Sequence, residues 1–475
     1  METSPTTDPA DWLAANASWV AAAAATVLLL SRSATRNVLS LLVRFVVALA
    51  TLKLEASVWR DRFGRPVPLP RDLDEVMADP ERLVRLLKKR GRMPADVETF
   101  RIERLASITT EPDKNRTAGS VRVSWGDRVT GDARALNVFL KFQTGRGLPM
   151  WLQALRIGAE PGVCREVDFY AKARASVPLR TLAPLLAEKL PRLNYVLVGL
   201  EYVDLRRDAR VVTDSQGANL VEVEAVVRAA AKMHRAFSGG RAGEDPATCW
   251  IPARAGLDYL KFVDAFMDKT DPHWTPALWA ALKAYFHSRP VTLVHGDCRV
   301  GNHMFVPHAP RDRVDEVVFA DWEAVNIAPQ LWDLTYCATL SWPAKARREH
   351  LDGVLGAYLE ALADAEDGSN DDAVKLWASA ADAKVEVGLL TLVLCFYSRT
   401  VRHGGFWRNQ GNTSDDQRCW LVRLFLAVAD LDAGEVARAL DLDAGAGSAA
   451  IEALQDGLRA ELERVDSRGV RADEL

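Results

Sequence analysis

Two stretches bring together residue types that can do chemistry at a fixed spacing: "LVHGDCRVGNHMFV", Leu293 to Val306, and "VVFADWEAV", Val317 to Val325. Asp297 stands five residues before Asn302, and Asp321 follows the apolar run "VVFA". An isolated Asp and Asn pair reads as turn structure, because both side chains bond nearby backbone. The context outweighs that reading. An apolar strand precedes Asp297, the strand-like "HMFV" follows Asn302, and a second buried strand delivers Asp321 at its end. Three oxygen-bearing side chains that emerge from strand ends can converge. Phosphoryl transfer needs such a convergence, with one carboxylate beside the attacking hydroxyl and oxygen ligands for a magnesium ion that bridges nucleotide phosphates. In this arrangement Asp297 is the base, and Asn302 and Asp321 hold the metal.

A cation must also hold the phosphates, and something must fix that cation. Lys141, inside the apolar strand "VFLKFQ", and Glu166, on the helix that follows, suit an ion pair in a cleft, with a purely structural pair as the rival reading. Backbone amides near Gly119 and Ser120 are candidates to cover the phosphates, although no GxGxxG is present. Cys298, next to the base, reads as a packed thiol, since nothing near it in sequence argues for a lowered pKa.

The elements that must position these residues follow from hydrophobic period and punctuation. "RDLDEVMADPERLVRLLKKRG" predicts a helix capped at Asp79, with Pro80 in its first turn and Gly91 past its end. "VETFRIERLASITT" and "GSVRVSWGD" alternate as two antiparallel strands around the polar tip "EPDKNRTAG", and "ALNVFLKFQ", Ala135 to Gln143, reads as a third. "PGVCREVDFYAKAR" predicts a helix from near Pro161, and "NYVLVGLEYVDL", Asn194 to Leu205, a buried strand. From Val221 the pattern turns helical, interrupted by the two stretches above and by the long loop "HGGFWRNQGNTSDD", where Trp407 is a candidate for an acceptor pocket.

At 475 residues the chain is long enough for two lobes and an extension. The formal net charge of -4, without a basic stripe, predicts no nucleic-acid partner. Six cysteines without a CxxC pair signal neither a zinc site nor a disulfide framework, and reduced cytosolic thiols fit best. The N-terminus is uncharged from Trp12 to Leu30, and a second apolar run spans Val38 to Leu52 with Arg44 inside it. Two hydrophobic helices are expected, either associating with a membrane through residues 12–54 or packing on the body. If they insert, Arg32, Arg36 and Arg44 keep the remainder in the cytosol.

"VHGDCRVGN" with "FADWE" and "LWDL" resembles the catalytic core of the aminoglycoside phosphotransferase and choline kinase superfamily, particularly its ecdysteroid-kinase-like branch. The resemblance covers Glu98 to the end and includes Lys141, Glu166 and the helix "AAAKMHRAF" with His234. It implies an α+β, two-lobed, protein-kinase-like fold, with a small antiparallel sheet over a large helical lobe and ATP in the cleft between them. It makes Asp297 the base, Asn302 and Asp321 the magnesium ligands, Lys141 and Glu166 the phosphate clamp, and the backbone from Glu201 to Val203 the adenine-binding hinge. His295 and Asp333 fit the supports of the catalytic loop, and His234 is expected to pack between helices. The divisions expected are a hydrophobic extension over 1–60, a linker and helix over 61–97, a small lobe over 98–205 and a helical lobe over 206–475. The activity implied is ATP- and Mg²⁺-dependent phosphorylation of a small-molecule hydroxyl, with a neutral or lipid-like alcohol as the preferred acceptor. A catalytically silent, membrane-anchored nucleotide-binding or scaffolding relative is the alternative, and the completeness of the motif set argues against it.

Overall fold

The structure is a computed structural model describing residues 69–70, 72–105, 118–126, 132–143, 162–190, 195–251, four positions between 256 and 263, 275–364, 379–403 and 415–463. The expected hydrophobic extension, the hairpin tip and Trp407 lie outside the described residues.

The small lobe is a five-stranded antiparallel sheet in the order β1-β2-β3-β6-β5, formed by β1 (Phe100–Arg104), β2 (Ala118–Gly126), β3 (Ala133–Gln143), β5 (Pro184–Leu190) and β6 (Tyr195–Glu201). Two helices cover one face, α1 (Leu73–Ala78), which the sequence reading did not separate, and α2 (Pro80–Lys89), the helix expected from Asp79. Asp72 caps α1 by accepting from the amide of Glu75 at 2.9 Å, and Pro80 restarts the chain one residue after Asp79. Strand alternation sends Val121, Val123, Val138 and Leu140 into a core with Leu73, Val76, Leu83 and Leu87. Lys141 comes one residue after Leu140, so its side chain leaves the opposite face, toward the other lobe.

Between β3 and β5 the chain forms α3 (Gly162–Asp168), which widens into a π-helical turn over Phe169–Ala173. The ring of Phe169 stacks on Trp322 with centroids 3.9 Å apart, a contact that ties α3 to the catalytic segment. The short strand β4 (Arg180–Thr181) reinforces the link by pairing in parallel with β9 (Glu316–Phe319). Two residues carry no periodic signal, which is why β4 is not legible in the sequence.

The large lobe begins at α4 (Leu220–Ala236), whose start is fixed by a capping box between Asn219 and Glu222. After α5 (Arg241–Glu244) and α6 (Pro276–His287), the catalytic segment is built from two small sheets. The strand β7 (Val291–Val294) pairs antiparallel with β10 (Asn326–Pro329), while β9 lies between β4 and β8 (His303–Val306). The remaining helices are α7 (Trp332–Leu340), α8 (Ala344–Ala363), α9 (Ala380–His403), α10 (Asp415–Ala429), α11 (Ala433–Ala439) and α12 (Ala444–Leu462). Their apolar faces meet around a core that includes Trp279, Trp322, Trp332, Trp342 and Phe396, all nearly sealed from water. The chain therefore has the expected α+β, two-lobed architecture, with a small sheet lobe above a helical one.

Candidate active site

The turn after β7 makes the site. Gly296 adopts φ +86°, and a Cβ added there would come within 2.1 Å of the carbonyl oxygen of Ala324, so conformation and space both require glycine. Asp333 holds this turn from below. Its Oδ2 accepts the amide of His295 at 2.7 Å and its Oδ1 accepts the amide of Gly296 at 2.9 Å. Trp332 Nε1 donates to the carbonyl of Gly296 at 3.1 Å, so two consecutive residues of α7 grip the turn.

Asp297 projects from this anchored turn. Asn302 Nδ2 donates to the Asp297 carbonyl and to its Oδ2, both at 2.9 Å, which brings together two of the residues expected to cooperate. The third is close in the fold, because the amide of Ala320, next to Asp321, donates to the carbonyl of Asn302 at 3.0 Å. Asp321 has left-handed backbone angles, φ 61° and ψ 60°, and so turns the chain sharply where β9 ends.

Lys141 reaches this point from β3. Its Nζ lies 2.8 Å from Glu166 Oε2, 2.5 Å from Asp321 Oδ1 and 3.6 Å from Glu323 Oε2. Burial opposes the lysine charge, but Asp321, Glu166 and Glu323 together hold its pKa well above the ordinary value. Asp321 is correspondingly held below its usual range, the ammonium overcoming burial, whereas burial pushes Glu166 up. The outermost acid, Glu323, is pushed up to about 7, first by the charge of Asp321. Oxygens of Glu166, Asp321 and Glu323 lie within 4.8 Å of one another, so three acids face one ammonium and the cluster favours a further cation. Hard carboxylate oxygens around an excess of negative charge fit magnesium.

Other expected positions fall differently. Gly119 lies in β2 opposite Leu140, where an added Cβ would strike Leu73 Cδ2 at 2.5 Å, and the Ser120 side chain is buried. Both residues belong to the sheet that forms the roof of the cleft. Glu201 ends β6, its amide donating to the Ala183 carbonyl at 2.9 Å and its carboxylate meeting Arg180 at 3.1 Å. Val203 follows just past the strand, half-buried. Burial pushes the Cys298 thiol well up, and its Sγ sits 3.4 Å from His303 Nε2, a packed thiol as expected. His234 does more than pack. Its Nε2 meets Asp333 Oδ2 at 3.0 Å and its Nδ1 meets Tyr358 Oη at 2.7 Å, so it orients the acid that holds the catalytic turn.

The sequence reading missed Glu323, Arg299 and the aromatic side chains on the far side of Asp297. Arg299 Nε lies 3.2 Å from Asp297 Oδ1, and its guanidinium stands 4.6 Å over the Trp420 ring. Tyr336 on α7 and Tyr397 on α9 both feel the charge of Asp297. Trp420, Tyr336 and Tyr397 come from helices distant in sequence, where apolar spacing reads as core. Arg299, two residues after Asp297, and Glu323, two residues after Asp321, stood within the motifs themselves.

The fold is two-lobed and kinase-like, with the polar cluster where the two lobes meet. Over residues 275–368, which hold the whole catalytic turn, the chain matches the sequence model of the Ecdysteroid kinase-like family. The resemblance carried by "VHGDCRVGN", "FADWE" and "LWDL" is thereby met over the catalytic segment. No curated protein matches the chain. Among solved structures, a GDP complex of aminoglycoside 2'-phosphotransferase-IIIa is 11% identical with a TM-score of 0.37, over 78% of this chain and 99% of that one. The macrolide 2'-phosphotransferase MphH from Brachybacterium faecium is 14% identical with a TM-score of 0.33, over 73% and 98%. A microcompartment-associated aminopropanol kinase is 11% identical with a TM-score of 0.36, over 82% and 99%.

Proposed function

We propose that the protein is a small-molecule kinase that transfers the terminal phosphoryl group of ATP to an acceptor hydroxyl. The reading is carried by one observation: Lys141 from the sheet lobe, 2.5 Å from Asp321 of the catalytic segment, beside the Asp297 and Asn302 pair. The acceptor oxygen bonds to the terminal phosphorus, the bridging P–O bond breaks, ADP leaves, and the hydroxyl proton passes to Asp297. Lys141, fixed by Glu166, holds phosphate oxygens. Gly119 and Ser120 form the roof over them, and the backbone from Glu201 to Val203 receives the adenine. Asn302 and Asp321 are the magnesium ligands of this reading, with Glu323 near enough to assist. Bound magnesium would neutralise charge on the phosphates.

A neutral or lipid-like alcohol suits the acceptor side. Tyr336 and Tyr397 feel the charge of Asp297, and Trp420 lies against the Arg299 guanidinium, so aromatic groups surround the base and its partner. The expected result is phosphate transfer to a sterol-type alcohol in preference to an aminoglycoside; the reverse preference would exclude this acceptor class. The small lobe of this reading extends from 98 to 205 and the large one from 206 to 475.

For the N-terminal segment the reading keeps two alternatives, association with the cytosolic face of a membrane or packing on the body. Residues 12–54 carry the hydrophobic runs and lie outside the described residues, among which no helix is long and apolar enough to cross a membrane. Deletion of residues 1–56 is expected to move the protein from the membrane fraction to the supernatant, and unchanged fractionation would remove the anchor.

The primary test is calorimetry of ATP binding with and without magnesium, on the intact protein and on Asp321→Ala. Magnesium-dependent binding that the substitution abolishes is expected. Absence of binding in both would favour the scaffolding alternative.

A further inference from the structure

Asp297 is held on two sides. On one side Asn302 Nδ2 donates to Asp297 Oδ2 at 2.9 Å, leaving its amide oxygen for the metal of the proposed reaction. On the other side Arg299 Nε lies 3.2 Å from Asp297 Oδ1, while its Nη1 lies 2.8 Å from Asp214 Oδ2. Asp214 is nearly sealed from solvent, 1% exposed. It lies in the connection between β6 and α4, outside every motif read from the sequence.

Asp214 is itself pinned. Its carbonyl accepts from Arg423 Nη1 of α10, and its Oδ1 accepts from Ser341 Oγ at 3.5 Å, a hydroxyl that in turn accepts the amide of Val300 at 2.7 Å. The packing against the catalytic turn is close enough that a Cβ at Gly301 would come within 2.9 Å of Asp214 Oδ2. Trp420, also of α10, supports the guanidinium face. Three separate parts of the large lobe therefore hold one planar group, whose two edges meet two carboxylates. A lysine ammonium could not span both acids and lie flat on the indole.

We propose that Arg299 and Asp214 are positioning residues for the phosphotransfer reaction: Asp214 fixes the Arg299 guanidinium, and the guanidinium fixes Asp297 in the orientation that accepts the acceptor's proton. This inference rests on the kinase reading above. Arg299 makes its ion pairs with Asp214 and Asp297, and its charge is felt by Asp321 less than that of Lys141, so turnover should fall further than nucleotide binding.

The experiment uses the full chain with magnesium-ATP and water as the acceptor. In this reaction the water oxygen bonds to the terminal phosphorus, ADP leaves, and the water proton passes to Asp297. Binding is measured by calorimetry and hydrolysis by phosphate release, for the wild type, Arg299→Ala, Arg299→Lys and Asp214→Asn. In each variant the magnesium-ATP affinity and KM are expected to stay within about twofold while kcat falls about tenfold to a hundredfold, the cost of a base misplaced by about an ångström. Guanidinium at low millimolar concentration is expected to restore part of the rate to Arg299→Ala and none to Asp297→Asn.

Equal kcat in the wild type and the variants would overturn the proposal, as would a loss of magnesium-ATP binding that parallels the loss of rate. A wild type that binds magnesium-ATP but hydrolyses none would overturn it as well, because a fixed base should activate water. If Arg299→Ala does not fold, Arg299→Lys and Asp214→Asn, which retain most of the packing, decide the question. A wild type that binds no magnesium-ATP refutes the kinase reading itself, a distinct outcome from a wild type that hydrolyses ATP with variants of equal rate.

Discussion

Single side chains in the cleft carry charges that only their neighbours make tolerable. Glu166 is 1% exposed and is paired with Lys141. Removing one partner of such a pair leaves a buried charge uncompensated, at a cost of about 3 kcal/mol or more. Lys141→Met is therefore expected to lower the urea midpoint of unfolding and to abolish ATP binding. The double variant Lys141→Met with Glu166→Leu should recover the midpoint without the binding, and denaturation combined with calorimetry would separate the two effects. Asp321 adds a backbone constraint. Asn tolerates its left-handed angles and Ala does not, so Asp321→Ala should be about 1 kcal/mol less stable than Asp321→Asn. Both should lose magnesium-dependent binding. Equal stability of the two variants would mean that the turn relaxes without strain.

At the scale of elements, the start of α7 holds the catalytic turn through Asp333. Burial raises the pKa of that carboxyl, but its hydrogen bond to His234, the charges of His234 and His295 and the amide of Gly296 together bring it below its ordinary value. A carboxylate with a depressed folded pKa adds stability in full above its unfolded value of about 3.9, and this is lost as pH falls through the folded value. The native protein should therefore lose stability below about pH 4 through this group. Asp333→Asn is expected to be less stable at pH 7 and to show a shallower acid limb, measured as urea midpoints between pH 3 and 7. An unchanged limb would mean that the wild-type acid sensitivity arises elsewhere. Gly296→Ala acts on the same turn from the opposite side. With its Cβ against the Ala324 carbonyl, it should cost several kcal/mol or displace the base, giving low soluble yield or no turnover.

Across the whole molecule, the cleft is a junction. Lys141 comes from the sheet, Glu166 from the helix between strands, Asp321 and Asp297 from the large lobe, and the Phe169–Trp322 stack and the β4–β9 pairing fasten the parts. A nucleotide that engages both lobes stabilises the folded chain by mass action, by about 2.7 kcal/mol at a hundred times its dissociation constant. Magnesium-ATP at that excess should raise the thermal midpoint of the wild type and leave that of Lys141→Met unmoved. A similar rise in both would mean that the nucleotide binds without the lysine.

Much of this was legible in the linear chain because it is local. The alternation of β2 and β3 and the spacing of Asp297, Asn302 and Asp321 each arise from a few adjacent residues whose periods and turn chemistry act at short range. With the motif resemblance, that was enough for the two-lobed class and for expecting Asp297, Asn302 and Asp321 to lie close together. The two-residue strand β4, the engagement of His234 with Asp333, and the Asp214–Arg299 brace were decided only by tertiary structure. Each depends on partners far apart in the chain, such as Arg180 beside Val318, Asp214 beside Arg299, and Trp420 beneath the same guanidinium. Periodicity describes which face of an element is buried; which distant side chain completes a charge on that face is set by packing alone.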